Sequence, residues 1–205
     1  MRIPDDIPGD EAILALHERH APSPAALGLV WTHCQIVCAI AGQLLARPGP
    51  ALDGIDARLV RAGCLLHDIG VYRLYDEHGR LDDAGYVRHG VLGHELLAAD
   101  GLPDALCRFA SHHTGAGISA ADVISQGLPL PPGDYLAGTP EERLVMYADK
   151  FHSKSAPPHL NAPASAAAGL ARFGAAKAAA FAAMRADYGD PDLPALSEAW
   201  GHSIL

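Results

Sequence analysis

The sequence has few aromatic, cysteine and basic residues, and each shortage argues against a class of protein. Aromatic residues make up only 6% of the 205 residues, so a core must consist mainly of leucine, valine, isoleucine and alanine. The four cysteines show no CxxC spacing, which indicates buried free thiols in a reducing compartment and not a disulfide scaffold. Lys and Arg number 15 against 24 Asp and Glu, and this net charge of −9 argues against a general nucleic-acid binder.

The sequence also lacks an apolar run of membrane-spanning length that is free of polar side chains. Residues 27–46 are long enough for a membrane span. This run carries His33, Gln35 and Gln43, however, which are costly in lipid, so we expect a buried core helix. The first residues, MRIPDDIPGDEA, are acidic and contain proline, unlike a signal peptide. These features predict a cytoplasmic protein with no membrane partner.

Helical segments alternate with loops rich in proline and glycine, and sustained period-2 alternation is missing, which predicts an all-α fold. Start and stop signals, such as the capping box that begins at Thr139, indicate where the helices lie. The predicted helices cover about 10–20, 24–47, 56–68, 83–99, 103–113, 139–153 and 163–188, with a further short helix near Trp200. The two long loops, 114–138 and 154–162, are candidates for a lid or a binding loop.

Several polar residues lie on the apolar faces of the predicted helices, because residues three, four and seven apart share a face. With the adjacent Asp68, they bring four imidazoles and two carboxylates inward: His33, His67, Asp68, His89, His113 and Asp149. Without partners, buried polar groups would cost about 1–3 kcal/mol each. One or two dications would satisfy all of them, and this donor set suits Zn, Fe, Mn, Co or Ni. The faces place His94 and His112 elsewhere, and we expect His17, His20, His78, His159 and His202 to be exposed.

The run Leu65-Leu66-His67-Asp68-Ile69-Gly70 resembles the signature of HD-domain metal-dependent phosphohydrolases, in the His-Asp-Ile-Gly form. His33 upstream, and the downstream runs that contain His89, His112-His113-Thr114-Gly115 and Asp149-Lys150, resemble the six-ligand, two-metal subgroup. The resemblance covers about residues 25–155. It implies a helical bundle with a metal centre in its core, formed by residues 1–155. Residues 156–205 lie outside the pattern, and we expect a helical extension packed on the same domain.

By position, the resemblance implies two divalent transition-metal ions, with Fe or Mn favoured. His33, His67, Asp68 and Asp149 would bind the first metal. Asp68 would bridge to the second, completed by His89 and by His113. The neighbouring His112 is the alternative to His113, which the helix face and the following Thr-Gly favour.

Such a centre would activate a bridging hydroxide that attacks phosphorus in line. The expected activity is that of a phosphomonoesterase or phosphodiesterase acting on a small phosphorylated substrate. Asp68 and Lys150 are the catalytic candidates. Basic or imidazole side chains near the metal ligands are the substrate-binding candidates: Arg88, His112, Lys150, His152 and Lys154.

Two alternatives of function remain open. Mixed-valent di-iron oxygenases of the HD-domain type use the same ligands, so the donor set does not separate oxygenase from hydrolase. A catalytically silent helical adaptor is the third hypothesis. The helix predicted at 163–188 is expected to pack on its own core; packing on a second subunit would instead give a homodimer.

Overall fold

The computed structural model describes residues 7–205, so the acidic residues 1–6 and any inference about them lie outside the described part. Within that part, ten α-helices and three strands of two residues each confirm the all-α prediction. The helices are α1 (Asp10–His20), α2 (Pro24–Leu45), α3 (Ala57–Leu66), α4 (His89–Ala99), α5 (Asp104–Ser111), α6 (Ala120–Ser125), α7 (Pro140–Asp149), α8 (Pro163–Ala171), α9 (Ala175–Tyr188) and α10 (Leu193–Trp200). The strands are β1 (His152–Ser153), β2 (His159–Leu160) and β3 (Ser203–Ile204).

Helices α2, α3 and α7 pack on one another at the centre of the bundle, and α5 packs on α3. Helix α4 lies across α5 and across a 3-10 segment, Ile69–Leu74, that follows α3. By length and composition α2 could cross a membrane. In this fold α2 is a core helix whose Val37, Ile40 and Leu44 side chains are fully buried. Burial of such side chains contributes about 1.5–3 kcal/mol each.

Local capping signals give several helix boundaries correctly. The predicted start of α2 is confirmed, because the Ser23 side chain accepts a hydrogen bond from the Ala26 amide at 3.1 Å. Three predicted helices differ from the structure. The helix predicted at 139–153 ends at Asp149, and residues 152–153 form β1. The helix predicted from residue 83 begins only at His89, because Asp82 bonds the Gly85 amide in a turn that leads into a 3-10 segment, Tyr86–Arg88. The helix predicted at 163–188 is interrupted at Gly174, whose φ of 107° is unfavourable for residues with a side chain.

The N-terminus of α7 shows only half of the expected capping box. The Thr139 hydroxyl accepts from the Glu142 amide at 3.2 Å. The Glu142 carboxylate turns away from the Thr139 amide, accepting from the Gly138 amide at 2.6 Å and from Arg108 Nε at 2.7 Å. This partly buried ion pair joins α7 to α5 and so helps to fix the relative positions of the segments that follow both helices.

The segment after residue 155 packs on the same core. In α9, Phe181, Met184 and Tyr188 are buried, and the Phe181 and Tyr188 rings lie 5.4 and 5.6 Å from the Tyr147 ring of α7. Helix α10 packs on α2, while β3 pairs in parallel with β2, and β2 pairs antiparallel with β1. Helix α9 thus lies on its own core, and a domain division at residue 155 stays a prediction.

His17 is buried, and its expected exposure was wrong. The ring is 0% exposed because α1 packs on α3 and on the 3-10 segment after it. His17 Nε2 donates to the Leu65 carbonyl at 2.7 Å, and Nδ1 accepts from the Tyr72 hydroxyl at 2.8 Å. This arrangement fits a neutral imidazole, and burial lowers the pKa of His17 from 6.5 to about 4.

The burial of His17 predicts a pH dependence of stability. Between about pH 6.5 and 4, the unfolded chain binds a proton at His17 that the folded chain does not bind. The free energy of unfolding should therefore fall as the pH falls through this window, by about 3 kcal/mol in all. Urea unfolding near neutral pH and at about pH 5 checks this. His17→Gln should reduce the pH dependence, whereas His78→Gln, at an exposed histidine, should leave it unchanged. Equal pH dependence in wild type and His17→Gln would contradict the assignment.

Candidate metal centre

Side chains from five helical segments meet in the interior of the bundle. His33 lies in the middle of α2, and His67 and Asp68 follow α3 directly. His89 is the first residue of α4, and Asp149 is the last residue of α7. His113 lies two residues after α5, in the turn that opens the loop 114–138. The structure thus brings together all six residues for which the sequence predicts a ligand role, and all but the partly exposed Asp149 are buried.

One half of the cluster is formed by His33, His67 and Asp149. The Nε2 atoms of His33 and His67 are 3.1 Å apart. Asp149 Oδ1 lies 3.1 Å from His33 Nε2 and 3.5 Å from His67 Nε2. The three donor atoms therefore form a compact group that could bind a metal ion.

The other half is formed by His89 and His113, and Asp68 lies between the two halves. The Nε2 atoms of His89 and His113 are 3.0 Å apart. Asp68 Oδ1 lies 3.3 Å from His89 Nε2 and 3.5 Å from His113 Nε2. Its other oxygen, Oδ2, lies 3.1 Å from His33 Nε2. The two oxygens of Asp68 thus face different imidazole groups, as a bridging carboxylate must.

Backbone carbonyls fix the tautomers of three of these histidines. Nδ1 lies 2.7 Å from the Cys64 carbonyl in His67, 2.6 Å from the Tyr86 carbonyl in His89 and 2.7 Å from the Ala110 carbonyl in His113. A carbonyl oxygen only accepts, so each Nδ1 carries the proton and each neutral ring presents a lone pair at Nε2. This backbone support orients an imidazole for metal binding.

The donor set fits divalent metal ions. Burial lowers the pKa of His89 to about 3 and also lowers that of His113. Burial raises the pKa of Asp68, but the adjacent Lys154 ammonium group lowers it further, to well below its ordinary range. The carboxylate is therefore charged at neutral pH, while the His89 and His113 lone pairs face each other. A cation relieves this repulsion, and ligands at about 2.0–2.2 Å from one metal lie about 3 Å apart, as these atoms do.

Gly70, in the run that resembles the family signature, allows α4 to approach the segment that contains Asp68. A Cβ atom at Gly70 would overlap the His89 carbonyl oxygen and the Gly93 amide nitrogen. The absence of a side chain at Gly70 therefore sets the distance between His89 and Asp68.

A cavity of about 370 Å³ opens beside the donor cluster. Asp68, His89, His113 and Asp149 line one end, together with Lys150 and Lys154. Lys150 Nζ lies 2.6 Å from Asp149 Oδ2, and Lys154 Nζ donates to Asp68 Oδ2. Although burial lowers the pKa of Lys154, Asp68 raises it well above its ordinary value, so this ammonium group stays charged.

The structure places the other substrate-binding candidates outside the cavity lining. Arg88 is exposed on the surface. His112 bonds to Arg108 Nη1 at 2.9 Å and to the Ser111 hydroxyl at 2.6 Å. His152 is buried behind His33, with the two Nδ1 atoms 2.8 Å apart. Lys150 and Lys154 are thus the members of the predicted set that line the cavity.

Loop 114–138 and the segment after residue 155 form the far wall of the cavity. Ile118 and Leu128 contribute from the loop, and Leu170 and Phe173 from the end of α8 and the turn after it. Lys177 of α9 bonds to Asp122 Oδ2 at 2.6 Å and so ties α9 to the loop. No sequence signal pointed to Leu170, Phe173 or Lys177, because they join the wall only through the packing of the C-terminal helices.

Comparison with known proteins agrees with this geometry. The sequence model of the HD domain matches residues 30–154, which is more than half of the chain. The chain belongs to the HD-domain family. The family expected from the His67–Gly70 run is therefore confirmed, and with it a domain type that binds divalent metals. The identity and the number of the ions stay predictions.

This HD-domain chain is also similar to three curated proteins. It is 42% identical over 120 residues to an uncharacterized protein of Methanocaldococcus jannaschii, covering 58% of this chain and 63% of the relative. It is 32% identical over 145 residues to the tRNA (cytidine(56)-2'-O)-methyltransferase of Thermoplasma volcanium, covering 71% of this chain and 37% of the relative. The protein of that name from Picrophilus torridus is 37% identical over 98 residues, 48% of this chain and 25% of the relative. The chain spans less than two thirds of each relative.

Solved structures whose fold is similar to that of this chain include the HD domain of the L. monocytogenes phosphodiesterase PgpH. That domain has a TM-score of 0.47 at 16% identity and covers 85% of this chain and 95% of its own. Its complex with cyclic-di-AMP has a TM-score of 0.48 at 16% identity, with 89% and 96% covered.

Substitution of Gly70 by alanine should separate α4 from the segment that contains Asp68. The clash involves backbone atoms, so we expect a loss of about 1–3 kcal/mol in the free energy of unfolding. Metal content should fall as well, because His89 moves with α4. Urea unfolding and elemental analysis measure the two effects. Gly28→Ala is the control, because a Cβ there meets no atom within 4 Å. Unchanged stability of Gly70→Ala would contradict the proposed close contact.

Substitution of His89 by alanine should remove one ligand of the predicted second metal and leave the group of His33, His67 and Asp149 intact. We expect the metal content to fall from two ions toward one per chain, as measured by elemental analysis of the purified protein. Asp68→Ala should reduce metal binding at both groups, because the two oxygens of Asp68 face both groups. His94→Ala is the control, since His94 bonds to the Ser111 hydroxyl and lines neither group. Loss of metal in His94→Ala with none in His89→Ala would reverse the assignment.

Proposed function

We propose that this HD-domain protein is a metal-dependent phosphohydrolase that acts on a small phosphorylated molecule. The observation that carries the proposal is that six nitrogen and oxygen donors form one cluster, and four of them line one end of a single cavity together with two lysines. Metal ligands and ammonium groups together favour an anionic group at that end. The resemblance of the His67–Gly70 run to HD-domain phosphohydrolases supports the same chemistry.

The donor residues would hold two divalent transition metals, which supply an activated water and neutralise charge on a phosphoryl group. Asp68 would orient both ions, since its two oxygens face the two imidazole groups. Lys150 and Lys154 would bind the phosphoryl oxygens. Lys154 is suited to this because its ammonium group is half-buried at the cavity wall, lies 5.5 Å from the centre of the Tyr86 ring and remains charged.

The remainder of the substrate would lie against the far wall of the cavity. That wall is largely apolar, with Ile118, Leu128, Leu170 and Phe173, and one ion pair, Lys177 with Asp122, borders it. The volume of about 370 Å³ is at the lower end of the range for small-molecule pockets. A phosphate ester of a compact, partly apolar group fits these walls.

Hydrolysis of phosphate esters by the metal-loaded protein tests the proposal. With Mn²⁺, Co²⁺ or Ni²⁺, we expect turnover of p-nitrophenyl phosphate or of members of a panel of nucleotides and phosphodiesters. Lys154→Gln should lower kcat by about 100-fold, since it removes a charge that faces the phosphoryl group. Arg73→Gln, at an exposed position outside the cavity, is the control and should keep the wild-type rate.

The outcome also separates the alternatives. Tightly bound iron with a mixed-valent spin signal and oxygen consumption, but no phosphate release, would overturn the hydrolase in favour of an oxygenase. Bound metal with neither activity would favour the adaptor.

A further inference from the structure

A row of three imidazoles runs from the donor cluster toward the surface. His33 Nδ1 lies 2.8 Å from His152 Nδ1, and His152 Nε2 lies 2.9 Å from His202 Nδ1. The His152 ring meets the rings of both neighbours edge to edge through these nitrogen atoms, with centroids 5.1 Å apart in each pair. His152 is buried and His202 is half-buried.

His33 differs in its support from the other three histidines of the cluster. The Nδ1 atoms of His67, His89 and His113 donate to backbone carbonyls, whereas that of His33 faces another imidazole. A carbonyl oxygen only accepts, but a neutral imidazole can donate or accept at Nδ1. The tautomer of His33 therefore depends on the tautomers of His152 and His202.

Metal binding at His33 allows only one direction of hydrogen bonds along the row. A lone pair on His33 Nε2 requires the His33 proton on Nδ1, where it is donated to His152 Nδ1. His152 must then carry its own proton on Nε2 and donate it to His202 Nδ1. If the hydrogen bonds ran in the opposite direction, His33 would carry its proton on Nε2, directed at the carboxylates of Asp68 and Asp149. The nitrogen would then have no lone pair with which to bind a metal.

Backbone pairing between the end of the matched family region and the segments that follow it places this row. His152 lies in β1, and β2 joins β1 to β3, which directly follows His202. The Leu205 amide donates to the Leu160 carbonyl at 2.9 Å. Ser197 Oγ donates to the His202 carbonyl at 2.7 Å. Residues 197–205 thus determine where the His202 ring lies, and through it the ring of His152.

We propose that His152 and His202 are positioning residues of the metal centre: they accept the Nδ1 proton of His33, directly and in relay, and keep its Nε2 aimed at the metal. From the sequence we expected His152 to bind substrate and His202 to be exposed. In the structure His152 instead contacts His33 and His202. This inference rests on metal binding at the cluster and not on the reaction that follows.

Two substitutions of nearly equal shape test the role of His152. Asparagine retains an acceptor oxygen near the place of Nδ1, and leucine has the same branching without an acceptor. Cobalt(II) titrated into protein stripped of metal, followed by its visible absorption, reports both affinity and ligand geometry. We expect His152→Leu to bind cobalt about 10–100-fold more weakly than wild type, and His152→Asn to recover most of the affinity. The melting temperatures of the two metal-free variants show whether they fold alike.

Equal weakening of cobalt binding in both variants would overturn the proposal, since it would show that only packing matters at His152. Unchanged binding in His152→Leu would overturn it as well. Wild type that binds no cobalt would overturn the metal centre together with this inference. Wild type that binds cobalt but hydrolyses no phosphate ester would overturn the proposed function alone.

The role of His202 is tested in the same titration. His202→Ala should weaken cobalt binding by a smaller factor than His152→Leu, because it acts one ring further from the metal. His159→Ala is the matched control: His159 lies on the neighbouring strand, but its Nδ1 bonds to the Pro157 carbonyl at 3.0 Å and has no part in the row. If His202→Ala binds cobalt as tightly as wild type, or if His202→Ala and His159→Ala lose the same affinity, His202 has no part in the proposal.

Discussion

Asp68 is a buried carboxylate whose two oxygens face imidazoles from different helices, and the arrangement of the bundle interior depends on it. A charged carboxylate in a protein interior is costly unless cations or hydrogen-bond donors surround it. Here the charged Lys154 and the imidazoles of α2 and α4 surround it. The helices must therefore bring these groups to Asp68, and apolar packing alone would not specify that geometry.

Most of the donor cluster could be predicted from sequence because the signal is local. A histidine or aspartate among apolar residues at helical spacing must point inward, and an inward polar side chain needs a partner. His33, His89 and Asp149 satisfy this rule, and the His67-Asp68 pair at a helix end follows the family signature. The cap at Ser23 is local in the same way, since it involves an amide only three residues away.

The features that the sequence did not predict depend on contacts between distant segments. His17 is buried because α1 packs against a segment about 50 residues later in the chain. His202 reaches His152 only through the pairing of three very short strands, which are too short to show any alternation. The sequence also did not predict the interruption of the alanine-rich helix at Gly174, because a single glycine in such a sequence is compatible with a continuous helix.

The turn at Gly174 has a consequence for how the cavity wall is built. It leaves Phe173 on the cavity wall with 59% of its surface exposed, in a segment that contributes none of the six donors. The family region ends at residue 154, so the reactive end of the cavity and this aromatic side chain belong to separable parts of the sequence. The residues around this turn, and with them this part of the cavity wall, can therefore change in evolution while the donor cluster in the bundle stays the same.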